Sequence, residues 1–293
     1  MKPLERYIEK AATLIEALPY IQYFREKIIV VKYGGSTIKD GADKDTVLKD
    51  IVFLSSVGMR PVIVHGGGPA INKQLRKDGI ETRRINGLRI TDDETMKVVE
   101  NVLVNKVNAD IVREIEDLGG RAMGLSAKDY GIMSVSKHFA STPDGNVDIG
   151  FVGDVDSIDI NPLLGLFDQG FIPVIAPIGC GPKGDSFNVN ADTAAGEFAA
   201  ALSAEKLVFL TDVIGILHSH DEPDTLLSTV RVNEVKKLLE NGIISGGMIP
   251  KIHACVNAVE SGVLKTHIVG GGVPHSMLLE IFTREGIGTE IIE

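Results

Sequence analysis

Cysteine is nearly absent from this sequence: only Cys180 and Cys255 occur among its 293 residues. The two residues lie far apart and in no CxxC spacing, so the sequence indicates neither a disulfide framework nor a cysteine-based zinc site. His218 and His220 form an HxH pattern in an acidic, turn-rich stretch, but no third ligand accompanies them, and we expect no metal site there. A reducing cytoplasm is the compartment that this composition favours.

The sequence also lacks a long apolar run and an excess of positive charge. No stretch reaches the roughly 18 apolar residues that span a bilayer, and charges are scattered through the N-terminus where a targeting segment would have an apolar core. The formal net charge is −10 at pH 7, without the clustered cations that bind a nucleic-acid backbone. We therefore expect a folded chain with neither a membrane nor a nucleic-acid partner.

What the sequence does contain is a series of buried strands, each followed by a turn and a helix-like stretch. Runs rich in β-branched residues predict strands at 28–33, 61–65, 172–176, 206–210 and 266–269. Repeated strand, turn and helix units predict an α/β fold, doubly wound, with a mainly parallel open sheet and helices on both faces. The segment 134–159 differs, because its short β-like pieces around Pro143 predict antiparallel hairpins and a candidate lid.

A helical period precedes these strands, between Pro3 and Pro19. Its apolar positions are Leu4, Ile8, Ala11, Ala12, Ile15 and Leu18. They predict an amphipathic helix that starts at a favourable first-turn proline and ends at the second proline. Two interpretations stay open: the helix packs on its own domain, or it is an arm that docks on another subunit.

The domain organisation that we predict has three parts. Residues 1–24 are the helix and a linker, 25–205 a first lobe, and 206–293 a second lobe. The boundary near 205 is placed where a small-residue helix, 191–204, gives way to a new strand.

Two glycine-rich turns follow the first two strands of the predicted sheet. The first is KYGGS, which begins at Lys32, and the second is HGGGP, which begins at His65. Neither has the spacing of a Walker loop or of GxGxxG, so each is a weak signal by itself. Both would lie at the same carboxyl edge of one sheet and at helix N-termini, where bare amides and the helix dipole bind anions. The pair predicts a phosphate site.

Charged and amide side chains stand near these turns in the predicted sheet. Lys32 ends an otherwise apolar strand, where a lysine is costly unless an anion pairs with it. Lys251 opens a helix after a flexible glycine turn, a position more often held by a surface lysine. Asn188 and Asn190 can donate hydrogen bonds to a ligand. Asp192 lies in the first turn of the predicted helix, and its alternative role is to stabilise the start of that helix through the helix dipole.

These motifs together resemble the amino acid kinase family. The resemblance rests on KYGGS, VIVHGGGP, NGLRITDDETM, FNVNAD, FLTDVIGIL and GGMIPKI, which cover almost the whole chain in the family's order. Within the family, the chain is similar to the arginine-inhibited, hexameric members that phosphorylate N-acetyl-L-glutamate. That similarity implies ATP and nucleotide-bound Mg²⁺, arginine as inhibitor, a hexamer built as a trimer of dimers, and a PII protein as a candidate partner. One departure is Asn86, where the family commonly carries aspartate.

The resemblance implies that 25–205 is an acceptor-binding and dimerisation lobe and 206–293 a nucleotide-binding lobe. It also implies a role for individual residues. The implied roles are catalysis for Lys32, Lys251 and Asp192; phosphate binding for Gly34, Gly35 and Gly67; acceptor binding for Gly66, Gly67, Arg89 and Asn188; nucleotide binding for Thr211, Asp212 and Gly215; and arginine binding for His267, Glu280 and Gly286. A carboxylate acceptor is already ionised at neutral pH, which agrees with a site that needs no general base.

Three alternatives remain open at this stage. The first is another amino acid kinase, acting on carbamate, aspartate, glutamate or UMP. The second is a dinucleotide-binding oxidoreductase, which the missing GxGxxG disfavours. The third is a non-catalytic amino-acid sensor, which the retained Lys32 and Lys251 disfavour.

Overall fold

The computed structural model describes residues 3–34, 44–219, 222–283 and 286–293. The α-helices are α1 (Pro3–Phe24), α2 (Lys44–Ser56), α3 (Gly68–Lys77), α4 (Asp93–Val102), α5 (Ala109–Asp117), α6 (Asn161–Asp168), α7 (Ala191–Ala201), α8 (Val232–Glu240), α9 (Met248–Glu260) and α10 (Ser276–Phe282). The strands are β1 (Ile28–Tyr33), β2 (Arg60–His65), β3 (Arg84–Ile85), β4 (Leu88–Arg89), β5 (Ala122–Ser126), β6 (Met133–Thr142), β7 (Gly145–Ile158), β8 (Ile172–Ala176), β9 (Ile178–Cys180), β10 (Ser186–Asn188), β11 (Lys206–Thr211), β12 (Thr229–Arg231), β13 (Lys265–Gly270) and β14 (Thr289–Ile292). A π-helical turn, Leu103–Asn108, joins α4 to α5.

The main sheet has eight strands in the order β12-β14-β13-β11-β1-β2-β8-β5. Its pairs are parallel except where β13 meets β14. The five predicted strands are confirmed as β1, β2, β8, β11 and β13, and so is the mainly parallel α/β fold. Strands β5, β12 and β14 were not among those that the sequence predicted, because they are short or carry weaker apolar patterns.

Side chains that alternate along the central strands build a core on each face of the sheet. Val30 of β1 and Val62 of β2 pack into one core with Phe198 of α7. Their neighbours Ile29 and Ile63 belong to the opposite core, with the side chains of α2 and α5. Because both faces are covered, the central strands are apolar without alternation, as parallel strands between two helical layers are.

The predicted hairpin is also confirmed. Strands β6 and β7 pair antiparallel around the turn at Pro143 and Asp144, and with β9 and β10 they form a small closed barrel. Nearby, β3 and β4 are joined by Asn86 and Gly87, whose φ angles of 51° and 82° are those of a two-residue hairpin turn. Asparagine tolerates this left-handed backbone, which accounts for Asn86.

The predicted end of the N-terminal helix at Pro19 is wrong: α1 continues through Pro19 to Phe24. The last turn is fixed to the body of the protein. Tyr23 donates a 2.6 Å hydrogen bond to Glu205, and the Tyr20 ring packs edge-on against Phe282. These tertiary contacts offset the intrinsic cost of a proline inside a helix.

The helix predicted at 191–204 is three residues too long, since α7 ends at Ala201. Ser203 there has a φ of 47°, and a left-handed residue ends the helix before β11 begins. Strand β11 pairs directly with β1, so the predicted boundary at 205 falls inside a continuous sheet. Cys180 and Cys255 are both free thiols. None of the described helices combines the length and apolarity needed to cross a membrane.

Candidate active site

Lys32, Lys251 and Asp192 meet at the carboxyl edge of the sheet. Lys32 lies on β1, Asp192 in the first turn of α7, and Lys251 in the first turn of α9. The Lys32 ammonium is 2.7 Å from Asp192 Oδ1, and that of Lys251 is 3.2 Å from Asp192 Oδ2. One carboxylate therefore holds two ammonium groups side by side. The alternatives of a surface lysine and a simple helix-start acid do not fit this arrangement.

The charges of this triad are set by burial and by each other. Burial lowers the pKa of Lys32, and the nearby Lys251 lowers it further, while Asp192 acts in the opposite direction. Burial would raise the pKa of Asp192, but the two ammonium groups outweigh burial and hold that pKa below its ordinary value. Asp192 is therefore ionised at neutral pH, with two cations against its single negative charge. The surplus positive charge fits an anionic ligand.

The second glycine turn starts α3. Gly67 is the residue before the helix, and Pro69 occupies its first turn. A Cβ on Gly67 would lie 2.4 Å from Leu103 Cδ2 of the π turn, so this backbone approaches its neighbour too closely for a side chain. Of the first glycine turn, Gly34 lies directly after β1, whereas Gly35 is outside the described residues. The amide of Gly67 lies at the N-terminus of α3, where an anion would meet the positive end of the helix dipole.

Arg89 lies beside this turn, in a cavity of about 150 Å³. Gly66, Gly67 and Asn188 line the same cavity, so the structure brings the four predicted acceptor residues together. Arg89 is 6% exposed, and burial, with a contribution from Arg84, lowers its pKa to about 10. The guanidinium of this buried arginine therefore remains charged at neutral pH.

No sequence motif indicated the residue that orients Arg89. The Arg89 Nη2 donates a 2.5 Å hydrogen bond to Asn72 Oδ1 of α3, and Nη1 lies 3.4 Å from the Thr82 hydroxyl. Asn190, expected to donate to a ligand, accepts hydrogen bonds from the amides of Asp192 and Thr193 and so caps α7. That cap fixes the turn that carries Asp192.

The predicted nucleotide-binding residues follow β11, the neighbour of β1. The Thr211 hydroxyl donates to Asp212 at 3.0 Å, and Asp212 is close enough to Lys32 to influence its pKa. Gly215 has a φ of 159°, and a Cβ there would lie 2.6 Å from the Thr289 hydroxyl. This turn lies beside the lysine pair, at the same edge of the sheet.

The residues predicted to bind arginine form a separate buried cluster. The His267 Nδ1 lies 2.6 Å from Glu280 Oε1, and Lys206 lies 3.1 Å from its Nε2. Because the Lys206 ammonium can only donate, Nε2 of His267 is the acceptor. Nδ1 therefore carries the proton and donates a hydrogen bond to Glu280. A Cβ on Gly286, whose φ is 63°, would lie 2.8 Å from Glu280 Oε2.

This cluster lines a cavity of about 550 Å³. Tyr20 and Phe24, at the end of α1, form part of its wall, and Lys206, Lys265 and Glu290 add charged groups. Burial lowers the pKa values of Lys206 and His267. For Glu280, burial is outweighed by hydrogen bonds from His267 and two backbone amides, which hold its pKa below the ordinary value.

A comparison with protein families decides the classification of this fold and site. Residues 27–270 match the model of the amino acid kinase family. The chain belongs to the amino acid kinase family. It is therefore an enzyme of the phosphotransferase class. In this amino acid kinase, the lysine pair, Gly34, the second glycine turn and the Arg89 cavity all lie at one edge of the sheet.

Curated relatives of this amino acid kinase match it over nearly the full length. An acetylglutamate kinase from Heliobacterium modesticaldum is 50% identical over 291 residues, covering 98% of this chain and 99% of the relative. One from Pelotomaculum thermopropionicum is 51% identical over 288 residues, covering 97% and 98%. One from Nostoc punctiforme is 50% identical over 283 residues, covering 97% and 93%.

Solved structures show the same fold. N-acetylglutamate synthase from Neisseria gonorrhoeae, complexed with coenzyme A and N-acetyl-glutamate, matches with a TM-score of 0.84 and 28% identity. The match covers 97% of this chain but only 63% of the synthase, so this amino acid kinase spans less than two thirds of that protein. Carbamate kinase from Giardia lamblia, at 14% identity, matches with a TM-score of 0.64 over 91% of this chain and 98% of its own, and shows the fold alone.

Proposed function

We propose that this amino acid kinase transfers the γ-phosphoryl group of ATP to the γ-carboxylate of N-acetyl-L-glutamate, a step of arginine biosynthesis. The observation that carries the proposal is the Asp192 bridge between Lys32 and Lys251, next to the cavity that contains Arg89. Paired ammonium groups beside a carboxylate-binding guanidinium suit a reaction between two anions. Acetylglutamate kinases at about 50% identity over nearly the full length support this acceptor.

The proposed reaction needs charge neutralisation instead of proton transfer. A carboxylate is ionised at neutral pH, with an ordinary pKa of about 4. Its oxygen attacks the γ-phosphorus, the bond from that phosphorus to the β-phosphate oxygen breaks, and ADP leaves with the electron pair. Lys32 and Lys251 stabilise the negative charge on the transferred group, and Asp192 keeps both ammonium groups in place.

The acceptor is proposed to bind in the Arg89 cavity. The Arg89 guanidinium offers two parallel donors to the α-carboxylate of N-acetyl-L-glutamate, and Asn72 holds it in orientation. Gly66, Gly67 and Asn188 line the remaining wall of the cavity. Ala191, the residue before Asp192, lines it as well, which supports an acceptor position next to the lysine pair.

The nucleotide is proposed to bind in the 206–293 lobe, with its phosphates toward 25–205. Thr211, Asp212 and Gly215 follow β11 directly beside β1. Both oxygens of Asp192 are occupied by ammonium groups, and no cluster of three His, Cys, Asp or Glu side chains exists among the described residues. We therefore assign Mg²⁺ to the phosphates of ATP, where it supplies further charge neutralisation.

Feedback inhibition by arginine is proposed to act at the 550 Å³ cavity of His267, Glu280 and Gly286. Glu280 and Glu290 supply carboxylates for a guanidinium or an α-amino group. Because Tyr20 and Phe24 form part of the same wall, a ligand here would contact α1. Regulation of the enzyme through α1 requires such a contact between the inhibitor and the helix.

The N-terminal part of α1 is proposed to bind another subunit in a hexamer. Leu4, Ile8 and Ile15 are 68%, 59% and 67% exposed, so none of the described residues covers this part of the apolar stripe. Burial of such large apolar side chains against another surface is favourable. Pairing with the same helix of a neighbouring dimer would bury the stripe and close a ring.

The function is tested by measuring ADP release in reactions that contain ATP, Mg²⁺ and one acceptor at a time, and by trapping an acyl phosphate product with hydroxylamine. The acceptors are N-acetyl-L-glutamate, L-glutamate, L-aspartate, carbamate and UMP, and Lys32→Ala protein is the matched control. We expect a hydroxamate with N-acetyl-L-glutamate, none without enzyme, and less in the presence of arginine. Comparable or faster turnover of another acceptor would contradict the proposed substrate.

A further inference from the structure

A buried histidine stands at the second glycine turn, and none of the roles described so far uses it. His65 is the last residue of β2, in register with Tyr33 of β1, and it is 0% exposed. The three residues before it on this strand, Val62 to Val64, are all apolar. A polar ring at such a position needs hydrogen-bond partners on both nitrogens.

The partners of His65 fix which nitrogen carries its proton. The Asn108 Nδ2 lies 3.1 Å from His65 Nε2 and donates at 2.8 Å to the carbonyl oxygen of Val174. A carbonyl only accepts, so the amide nitrogen of Asn108 faces both groups and Nε2 is the acceptor. The proton therefore sits on Nδ1, which donates at 2.9 Å to the carbonyl oxygen of Gly66.

Burial keeps this histidine neutral. It lowers the pKa of His65 to about 4, against a smaller opposing effect of the Gly66 carbonyl. The hydrogen-bonded chain from Asn108 through His65 to Gly66 is therefore unchanged across the physiological pH range. His65 acts as a fixed donor and not as a proton carrier.

The carbonyl of Gly66 and the amide of Gly67 belong to one planar peptide unit, on which they point in opposite directions. A donor that holds the carbonyl on the His65 side thus turns the Gly67 N–H to the other side. Gly67 lines the Arg89 cavity. Glycine has no side chain to restrict this backbone, so the plane needs an outside constraint.

The π turn holds the glycine turn at two points. Its first residue, Leu103, packs so closely on Gly67 that a Cβ would lie 2.4 Å from it. Its last residue, Asn108, is the donor to His65. π-helical turns are rare and occur often at functional sites, and here the turn contacts Gly67 through Leu103 and the neighbouring His65 through Asn108.

We propose that His65 is a positioning residue: held by Asn108, it fixes the Gly66–Gly67 peptide plane and so aims the Gly67 amide at the anion in the active site. The inference rests on the proposed phosphoryl transfer. It predicts that loss of the Nδ1–H donor impairs turnover more than binding, because the misaligned amide contributes most where charge develops.

Three variants separate this role from simple stability. His65→Leu removes the donor, and His65→Asn retains one, because the asparagine amide nitrogen lies where Nδ1 was. Ile63→Ala, on the same strand and also 0% exposed, is the matched control for loss of stability. We expect His65→Leu to lower kcat by about 10- to 100-fold, with both KM values within about threefold. His65→Asn and Ile63→Ala should retain kcat within about threefold.

A second readout does not depend on catalysis. Hydrogen exchange of the peptide that covers 66–71 is expected to accelerate in His65→Leu relative to both other variants. Unchanged exchange, or equal kcat losses in His65→Leu and Ile63→Ala, would overturn the proposal. If His65→Leu does not fold, Asn108→Ala replaces it, with an expected kcat loss of at least about fivefold. A wild-type enzyme that forms no acyl phosphate would refute the proposed function, and the exchange result alone would then decide the role of His65.

Discussion

Lys32 and Lys251 each form a salt bridge with the same carboxylate, that of Asp192. Lys32→Ala and Lys251→Ala are each expected to lower kcat at least about 100-fold, in the range for loss of an electrostatic catalytic contact. Lys236→Ala, a highly exposed lysine on α8, is the control and should have wild-type kcat. Near-normal turnover of either active-site variant at saturating substrates would remove that lysine from the phosphoryl site.

Arg89 differs from a lysine because its guanidinium donates two parallel hydrogen bonds in a fixed plane. Arg89→Lys should therefore raise the KM for N-acetyl-L-glutamate at least about tenfold, while the KM for ATP changes less than about twofold. Steady-state kinetics with each substrate varied in turn measures both constants. A larger rise in the KM for ATP would place Arg89 at the nucleotide instead.

His65 also predicts how stability depends on pH. Its folded-state pKa is about 4, below the unfolded value of about 6.5, so the unfolded chain binds a proton between these values and the folded chain does not. Stability therefore falls as pH decreases from about 6.5 toward 4, by about 2 kcal/mol at pH 5 relative to pH 8. Denaturant unfolding of wild type and His65→Asn at both pH values should show a smaller decrease in the variant. Equal decreases would show that His65 is not the titrating group.

At the scale of elements, α2 and α10 are joined by one buried carboxylate. Asp50 of α2 is 0% exposed and lies 2.6 Å from the Nδ1 of His275, the residue before α10. Burial raises the pKa of Asp50, while His275 and the first amides of α10 act against this. The joint fixes the helix that carries Glu280.

Asp50→Ala should destabilise the protein by about 2 to 3 kcal/mol, because it leaves the His275 ring and the first turn of α10 without their acceptor. Asp117→Ala, at an exposed helix end, should stay within about 0.5 kcal/mol of wild type. Denaturant midpoints measure both. A loss below about 1 kcal/mol for Asp50→Ala would mean that the joint contributes little.

At the scale of the whole molecule, α1 has an anchored end and an exposed end. Tyr20 and Tyr23 contact the body, whereas Leu4 and Ile8 are exposed. Deleting residues 1–16 is therefore expected to leave the cavity wall intact and to yield an active dimer that arginine no longer inhibits. Light scattering and the kinase assay on one preparation test both parts.

A full-length double variant tests the same proposal without removing the helix. The double variant Leu4→Glu, Ile8→Glu retains the helix but places negative charge on its apolar stripe. It should also dissociate the proposed hexamer. A deletion protein that stays hexameric and arginine-sensitive would show that the stripe does not join subunits.

The sequence by itself determined five of the eight strands of the main sheet and the chemistry available at the ends of the first two. Buried β-branched runs make strands such as β1 and β8 almost independently of their surroundings, because both faces of a parallel sheet are covered. Glycine turns after β1 and β2, and a lysine at the end of an apolar strand, are local patterns that already indicate an anion site. These features need only neighbours along the chain.

Only the tertiary structure decided which side chains meet. Asp192 joins Lys32 to Lys251 across three different elements, and Asn108 reaches His65 over a separation of 43 residues. Helix α1 continues past Pro19 because Tyr23 bonds to Glu205, 182 residues away. Such contacts depend on the order of the strands in the sheet and on the packing of the helices. The spacing of apolar residues along the chain does not determine that order. The roles of these residues therefore follow from the fold, and the sequence supplied only their chemical groups.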